Sequence, residues 1–212
     1  MRCLLLLIPT LLLAAQTPGT TSGSNVPSRK TATAAKNYKE SGSPDAPLTI
    51  EIYTDYECPH CRLAYETWVP QLVNEYVKTG KAKLIHRDFP LPMHQYARVA
   101  ALFANAAGEL GYYDIVSEQI FKTQPDWTQN GNIDGQVAKV VPPGVMQQIR
   151  ERVKSDPKLE ESIKADVAMG NADRLGETPM MVVVRNGNRQ SIAPIPPFPV
   201  LKTYLDQQLA KR

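Results

Sequence analysis

The chain is poor in cysteine, with three in 212 residues, at positions 3, 58 and 61. It holds only three histidines and no Gly-rich nucleotide loop, so a nucleotide cofactor has no cradle in it. A net charge of +3 without a basic run leaves no electrostatic footprint for nucleic acid. Its one long apolar run, Leu4 to Ala15, is shorter than the ~20 residues that span a bilayer. No internal repeat is present. What remains is globular composition, 42% hydrophobic and 21% charged, on a length that suits one domain with a sizeable core.

The N-terminus reads "MRCLLLLIPTLLLAAQ": a basic residue, an apolar stretch, then small residues. This is the pattern of a secretory signal peptide, assigned to residues 1–20, with an uncleaved anchor as the alternative. Cys3 precedes the apolar run, whereas a lipid-attachment cysteine would end it. The expected location is periplasmic or otherwise extracytoplasmic, an oxidising compartment for Cys58 and Cys61. Residues 21–42 are rich in Ser, Thr, Gly, Lys and Pro and read as a flexible tether.

Beyond the tether, "LTIEIYT" (48–54) predicts a strand. Cys61, Tyr65, Trp68, Leu72 and Tyr76 fall on one helical stripe that ends at Gly80, with Pro70 expected to kink it. "KAKLIHRDF" (81–89) predicts a second strand. A helical block follows. Tyr96, Val99, Phe103, Ala106 and Leu110 form one stripe, and three further stripes begin at Tyr113, Met146 and Leu159. "TQPDWTQNGNIDG" within this block reads as a loop. "MMVVVRNGNRQSI" predicts a hairpin about Asn186-Gly187, and an amphipathic helix closes the chain. The order predicts an α/β fold: a mixed sheet, parallel across the strand–helix–strand unit, with an all-helical subdomain (95–175) inserted between its halves, 43–94 and 176–212.

"DYECPHC" (55–61) places two cysteines around Pro59 and His60. As a staple, a ring of about four residues yields roughly 2 kcal/mol of chain-entropy stabilisation, against about 3 for some fifteen residues. A metal site needs about four ligands. His86 and His94 could join the cysteines, but seven residues separate them, outside the usual spacing. A reactive pair has local physics behind it. Pro59 suits the first turn of a helix, which puts Cys58 at the N-terminus, where free N–H groups and the dipole favour a thiolate. A protonated His60 would add to this, and exposed Asp55 and Glu57 would oppose it weakly. Far along the chain, "GETPMMVVV" sets Thr178-Pro179 before a strand, where an X–Pro bond can be trans or cis.

Taken together, "GSPDAPLTIEIYTDYECPHC", "RDFPL" with its Ala-rich helix, and "ETPMMVVV" resemble the DsbA-like branch of the thioredoxin superfamily over residues 40 to 210. The resemblance implies a thioredoxin-like fold with a cis Pro179 facing the Cys58 sulfur. It implies that Cys58 is the exposed nucleophile and Cys61 the buried resolving thiol, and that Thr178 offers backbone hydrogen bonds to an extended substrate. Many relatives carry a buried acid six residues before the first cysteine. Ile52 stands there, and alternation turns Glu51 to the other face, so the proton acceptor for Cys61 has no evident candidate.

The expected function is a thiol:disulfide oxidoreductase, most readily a dithiol oxidase of extended or unfolded cysteine-containing polypeptides. Its redox group would be the Cys58–Cys61 disulfide, with no organic cofactor and no metal. By resemblance a membrane quinone-linked protein would reoxidise it. A reductase or isomerase on the same fold, or a non-enzymatic polypeptide-binding module, are the alternatives; a Cys58→Ser variant separates the last from the others.

Overall fold

β-branched and aromatic residues dominate "LTIEIYT", and they form the central strand of the sheet. The computed structural model describes residues 37–211; the expected signal peptide, Cys3 and the expected tether through residue 36 lie outside the described residues. Strand β1 is Glu40–Ser41, β2 Leu48–Thr54, β3 Ala82–Asp88, β4 Met180–Arg185 and β5 Asn188–Ile192. They make one five-stranded sheet in the order β1-β3-β2-β4-β5. β2 and β3 run parallel, joined by helix α1 (Pro59–Leu72), while β1, β4 and β5 pair antiparallel with their neighbours. The hairpin turns at Asn186 and Gly187, both at positive φ (48° and 78°), as a two-residue turn requires.

Alternation along β2 divides the core. Ile50 and Ile52 pack beneath α1 and the C-terminal helix α8 (Phe198–Ala210), with Leu72, Leu84, Leu201 and Leu205. Tyr53 faces the other side with Phe89, Leu175 and Val182. Glu51 is buried on that side too, held by Arg87 (2.7 Å) and Arg189 (2.6 Å), so it stands apart from the α1 layer, as alternation demands.

Between β3 and β4 lie six helices: α2 (Ala97–Glu109), α3 (Tyr113–Lys122), α4 (Gln124–Trp127), α5 (Ile133–Val137), α6 (Pro143–Ser155) and α7 (Pro157–Ala172). Their core gathers Phe103, Val116, Ile120, Trp127 and Ile149, and it also takes in Tyr56, Cys58 and Cys61. The two cysteines therefore sit where the sheet's crossover helix meets the insertion.

Four expectations are corrected here. Residues 37–42, expected to belong to the tether, are part of the fold. Residues Glu40–Ser41 pair with β3, and buried Lys39 bonds Asp88 (2.5 Å), Asp166 (2.8 Å) and the Ser162 hydroxyl (3.1 Å). The segment "TQPDWTQNGNIDG" is not a plain loop. Pro125 sits in the first turn of one short helix, fully buried Trp127 anchors it, and the Asn132 side chain caps the next by accepting from Gly135 N. The stripe chosen for α2 misplaces Val99, which is 40% exposed; the helix instead buries its alanines, whose small side chains let neighbours approach closely. The discontinuity expected at Pro70 is a π-helical turn, Val73–Val77, where Lys78 N–H donates to Val73 O five residues back (2.9 Å).

Candidate active site

Cys58 is the N-cap of α1, with extended backbone torsions (φ −73°, ψ 120°) and Pro59 at the first helical position. Its carbonyl accepts from the N–H groups of Cys61 (3.1 Å) and Arg62 (3.2 Å), which closes the first turn. That turn sets the free amides of the helix start around the Cys58 sulfur. Both cysteines are free thiols.

The structure brings Thr178 and Pro179 to this point. The Thr178–Pro179 bond is cis, and the Cys58 thiol donates to the Thr178 carbonyl oxygen at 3.3 Å. The buried Thr178 hydroxyl makes no well-formed hydrogen bond; it lies beside the two sulfurs and favours both as thiolates. A second cis bond, Ala193–Pro194, borders the same cleft, and no sequence signal singled it out. The cleft has a volume of about 370 Å³ and is lined by His60, Leu63, Trp68, Thr178, Pro179 and Ile195. Leu63 is 53% exposed there, an apolar side chain presented to solvent in the cleft that Thr178 and Pro179 also line.

The two thiols are driven apart in acidity. The Cys58 pKa is pulled down to about 5. The hydrogen bond from the Cys61 thiol is the largest cause, and it outweighs burial; Thr178 and the backbone amides of Cys61 and His60 add to it. Cys61 is pushed well above the ordinary thiol range, first by burial and then by its bond to the Cys58 thiolate. Two sequence expectations change. His60 contributes through its backbone N–H, with its ring exposed, so Cys61 and not the imidazole leads the stabilisation. Cys58, expected to be exposed, is itself only 5% accessible.

Asp55 and Glu57 do not face the sulfur as exposed charges. Asp55 is buried, accepting from Glu57 N (2.7 Å), Leu91 N (2.7 Å) and His94 Nδ1 (2.8 Å). Its own backbone N–H points at the Cys61 sulfur, 3.4 Å away. Glu57 accepts from Tyr96 N at 2.6 Å. His86 bonds the Tyr65 hydroxyl, and burial pulls its pKa down to about 4, so the ring is neutral at pH 7. The two histidines thus serve different partners. Among the described residues no three metal-ligating side chains converge.

One residue of the site was invisible to sequence reasoning. Gln124, at the start of α4, is buried, and its Nε2 donates to Tyr56 O (2.6 Å) and Cys58 O (3.0 Å). It lies 66 residues from Cys58, within a segment read as loop, so no local pattern marks it.

Residues 36–191 match a family model described as Thioredoxin. A curated relative from Bacillus anthracis, "Probable disulfide bond formation protein D", is 27% identical over 180 residues, covering 80% of this chain and 77% of the relative. The crystal structure of oxidised BdbD from Bacillus subtilis superposes with a TM-score of 0.69 at 20% identity, covering 82% of this chain and 93% of that one. Wolbachia pipientis alpha-DsbA1 gives the same TM-score and identity over 81% and 90%.

Proposed function

Because the chain belongs to the thioredoxin family and is a DsbA-like thiol:disulfide oxidoreductase, we propose that it works as an extracytoplasmic dithiol oxidase. The observation that carries this reading is the placement of the pair: Cys58 at a helix start against the cis Thr178–Pro179 peptide, with Cys61 fully buried behind it.

In the oxidised protein a substrate thiolate attacks the Cys58 sulfur. The Cys58–Cys61 bond breaks, a mixed disulfide forms at Cys58, and Cys61 leaves with the electron pair and takes up a proton. A raised Cys61 pKa keeps it a thiol at neutral pH, so it does not attack back and restore the starting state. A second substrate thiolate then attacks the substrate sulfur of the mixed disulfide. Cys58 departs as a stabilised thiolate, a good leaving group, and the substrate keeps the new disulfide. The substrate gives up two electrons and the protein gains them.

The redox group in this scheme is the cysteine pair alone, with no organic cofactor or metal. The cleft beside Cys58 offers apolar contact to an unfolded or extended polypeptide around its cysteine, and Thr178 offers its backbone once Cys58 is engaged. The reduced protein then needs an oxidant; a membrane quinone-linked protein fits that role, and the apolar leader supports placement outside the cytoplasm. Catalytic oxidation of a reduced dicysteine peptide, together with equilibration against glutathione, tests the proposal. Rapid stoichiometric oxidation that Cys58→Ser abolishes is expected. An equilibrium as reducing as that of thioredoxin would overturn the oxidase reading in favour of a reductase.

A further inference from the structure

Gln124 comes from the helical insertion and touches nothing of the cleft, yet it binds the backbone of the nucleophile itself. Its amide has two N–H donors, and both are used on carbonyl oxygens, Tyr56 O at 2.6 Å and Cys58 O at 3.0 Å. Two carbonyl neighbours also fix which end of the amide faces them, since only the NH₂ end can donate. The residue is 3% exposed, so these bonds have no competition from bulk water.

Its anchorage is firm. Three residues on, Trp127 is fully buried and its Nε1 donates to Ile120 O (2.8 Å), tying α4 to the end of α3. The Tyr56 ring is held against the same insertion, tilted against Phe121 (centroids 4.6 Å) and bonded to the Ser117 hydroxyl. The loop that delivers Cys58 is thus clamped on its side chain at Tyr56 and on its backbone at both Tyr56 and Cys58.

We propose that Gln124 is a positioning residue for Cys58, through which the helical insertion sets how strongly the Cys58 thiolate is held. The proposal rests on the oxidase reading for its purpose, though not for its geometry. Two physical effects carry it. The Cys58 carbonyl caps the first turn, so fixing its peptide plane fixes where the His60 and Cys61 N–H groups point relative to the sulfur. The carbonyl oxygens themselves carry partial negative charge beside the thiolate, and a donor on each oxygen offsets it. Without Gln124 the same cysteines remain, with a looser cap and two bare carbonyls in a buried setting.

The test compares the full chain with Gln124→Met, of similar length and no donors, and with Gln124→Glu, of similar shape. Alkylation of Cys58 in the reduced protein is followed against pH, alongside the glutathione equilibrium and thermal unfolding of the oxidised protein. With two hydrogen bonds lost, Gln124→Met is expected to raise the Cys58 titration midpoint by about half to one pH unit and to make the disulfide about three- to tenfold less oxidising. Gln124→Glu, whose buried carboxyl group is protonated and can donate to only one of the two carbonyls, is expected to shift both in the same direction by less, and it carries the test if the Met variant fails to fold. A lower melting temperature with titration and equilibrium unchanged would overturn the proposal and leave Gln124 a structural residue. The oxidase reading fails separately, on the wild type, if its own midpoint lies near that of a free thiol; the variant-to-wild-type shift reads on Gln124 in either case.

Discussion

The Cys58 sulfur and the Thr178 carbonyl oxygen lie 3.3 Å apart across 120 residues of sequence, and the Thr178 hydroxyl sits buried beside them without a settled partner. A hydroxyl in that position stabilises a thiolate more than a thiol. Thr178→Val keeps the shape and the carbonyl and removes only the donor. It is expected to raise the Cys58 alkylation midpoint by up to about one pH unit, since one hydrogen bond to an ion is involved. Urea unfolding of the oxidised protein is expected to change by less than about 1 kcal/mol, because no paired hydroxyl is lost. An unmoved midpoint would show that the hydroxyl does not stabilise the thiolate, and would leave that role to the Cys61 thiol and the helix amides.

Cys61→Ala asks a sharper question of the same sulfur. The Cys61 thiol is the largest source of Cys58 acidity, ahead of Thr178 and the helix amides. The variant is expected to move the Cys58 midpoint upward from about 5 by more than Thr178→Val does. If the order of the two variants is reversed, the helix cap and Thr178, not the partner thiol, govern Cys58.

The acidity of Cys58 is also a statement about folding. Its folded pKa, about 5, is depressed below the unfolded thiol value, so the reduced fold is stabilised by the thiolate. The sign follows: the contribution is complete above the unfolded pKa, shrinks as pH falls between roughly 8.5 and 5, and is gone below the folded pKa. At pH 7 it amounts to about 2–3 kcal/mol, from a shift of about two pH units below the working pH. Subtracting the unfolding free energy of Cys58→Ser from that of the reduced wild type across pH 4 to 9 isolates it. A flat difference over that range would contradict the assigned acidity.

Much of this site was legible in the sequence because its signals are local. A strand ending at "DYECPHC" and a proline at the first helical position put Cys58 at a helix start, as found. Alternation alone separated Glu51 from Ile52, and the Asn186-Gly187 turn fixed the hairpin. What escaped depends on partners far away. A two-residue strand has no periodicity to read, so Glu40–Ser41 was absorbed into the tether. Gln124 looks like any polar residue until the fold sets two carbonyls before it. Asp55 reads as an exposed acid opposing the thiolate, and only tertiary contact with Leu91 and His94 turns its carboxylate into the loop.

Lys39 shows what that missed boundary means energetically. Burial works against its charge, but Asp88 and Asp166 outweigh it and hold the ammonium protonated well above the ordinary lysine range. The three side chains are all at most 5% exposed, and Asp166 also bonds Arg87 at 3.0 Å. Lys39→Met leaves two carboxylates buried with less compensation, and losing one partner of such a cluster typically costs about 3–5 kcal/mol. Urea unfolding is expected to show a loss of that order, while the Cys58 alkylation midpoint stays near wild type. A chain that begins at residue 37 keeps β1 and Lys39 and is expected to match the full-length chain. One that begins at residue 43 loses both and is expected to unfold as Lys39→Met does or more readily. Equal stability of the two truncated chains would return residues 37–42 to the tether.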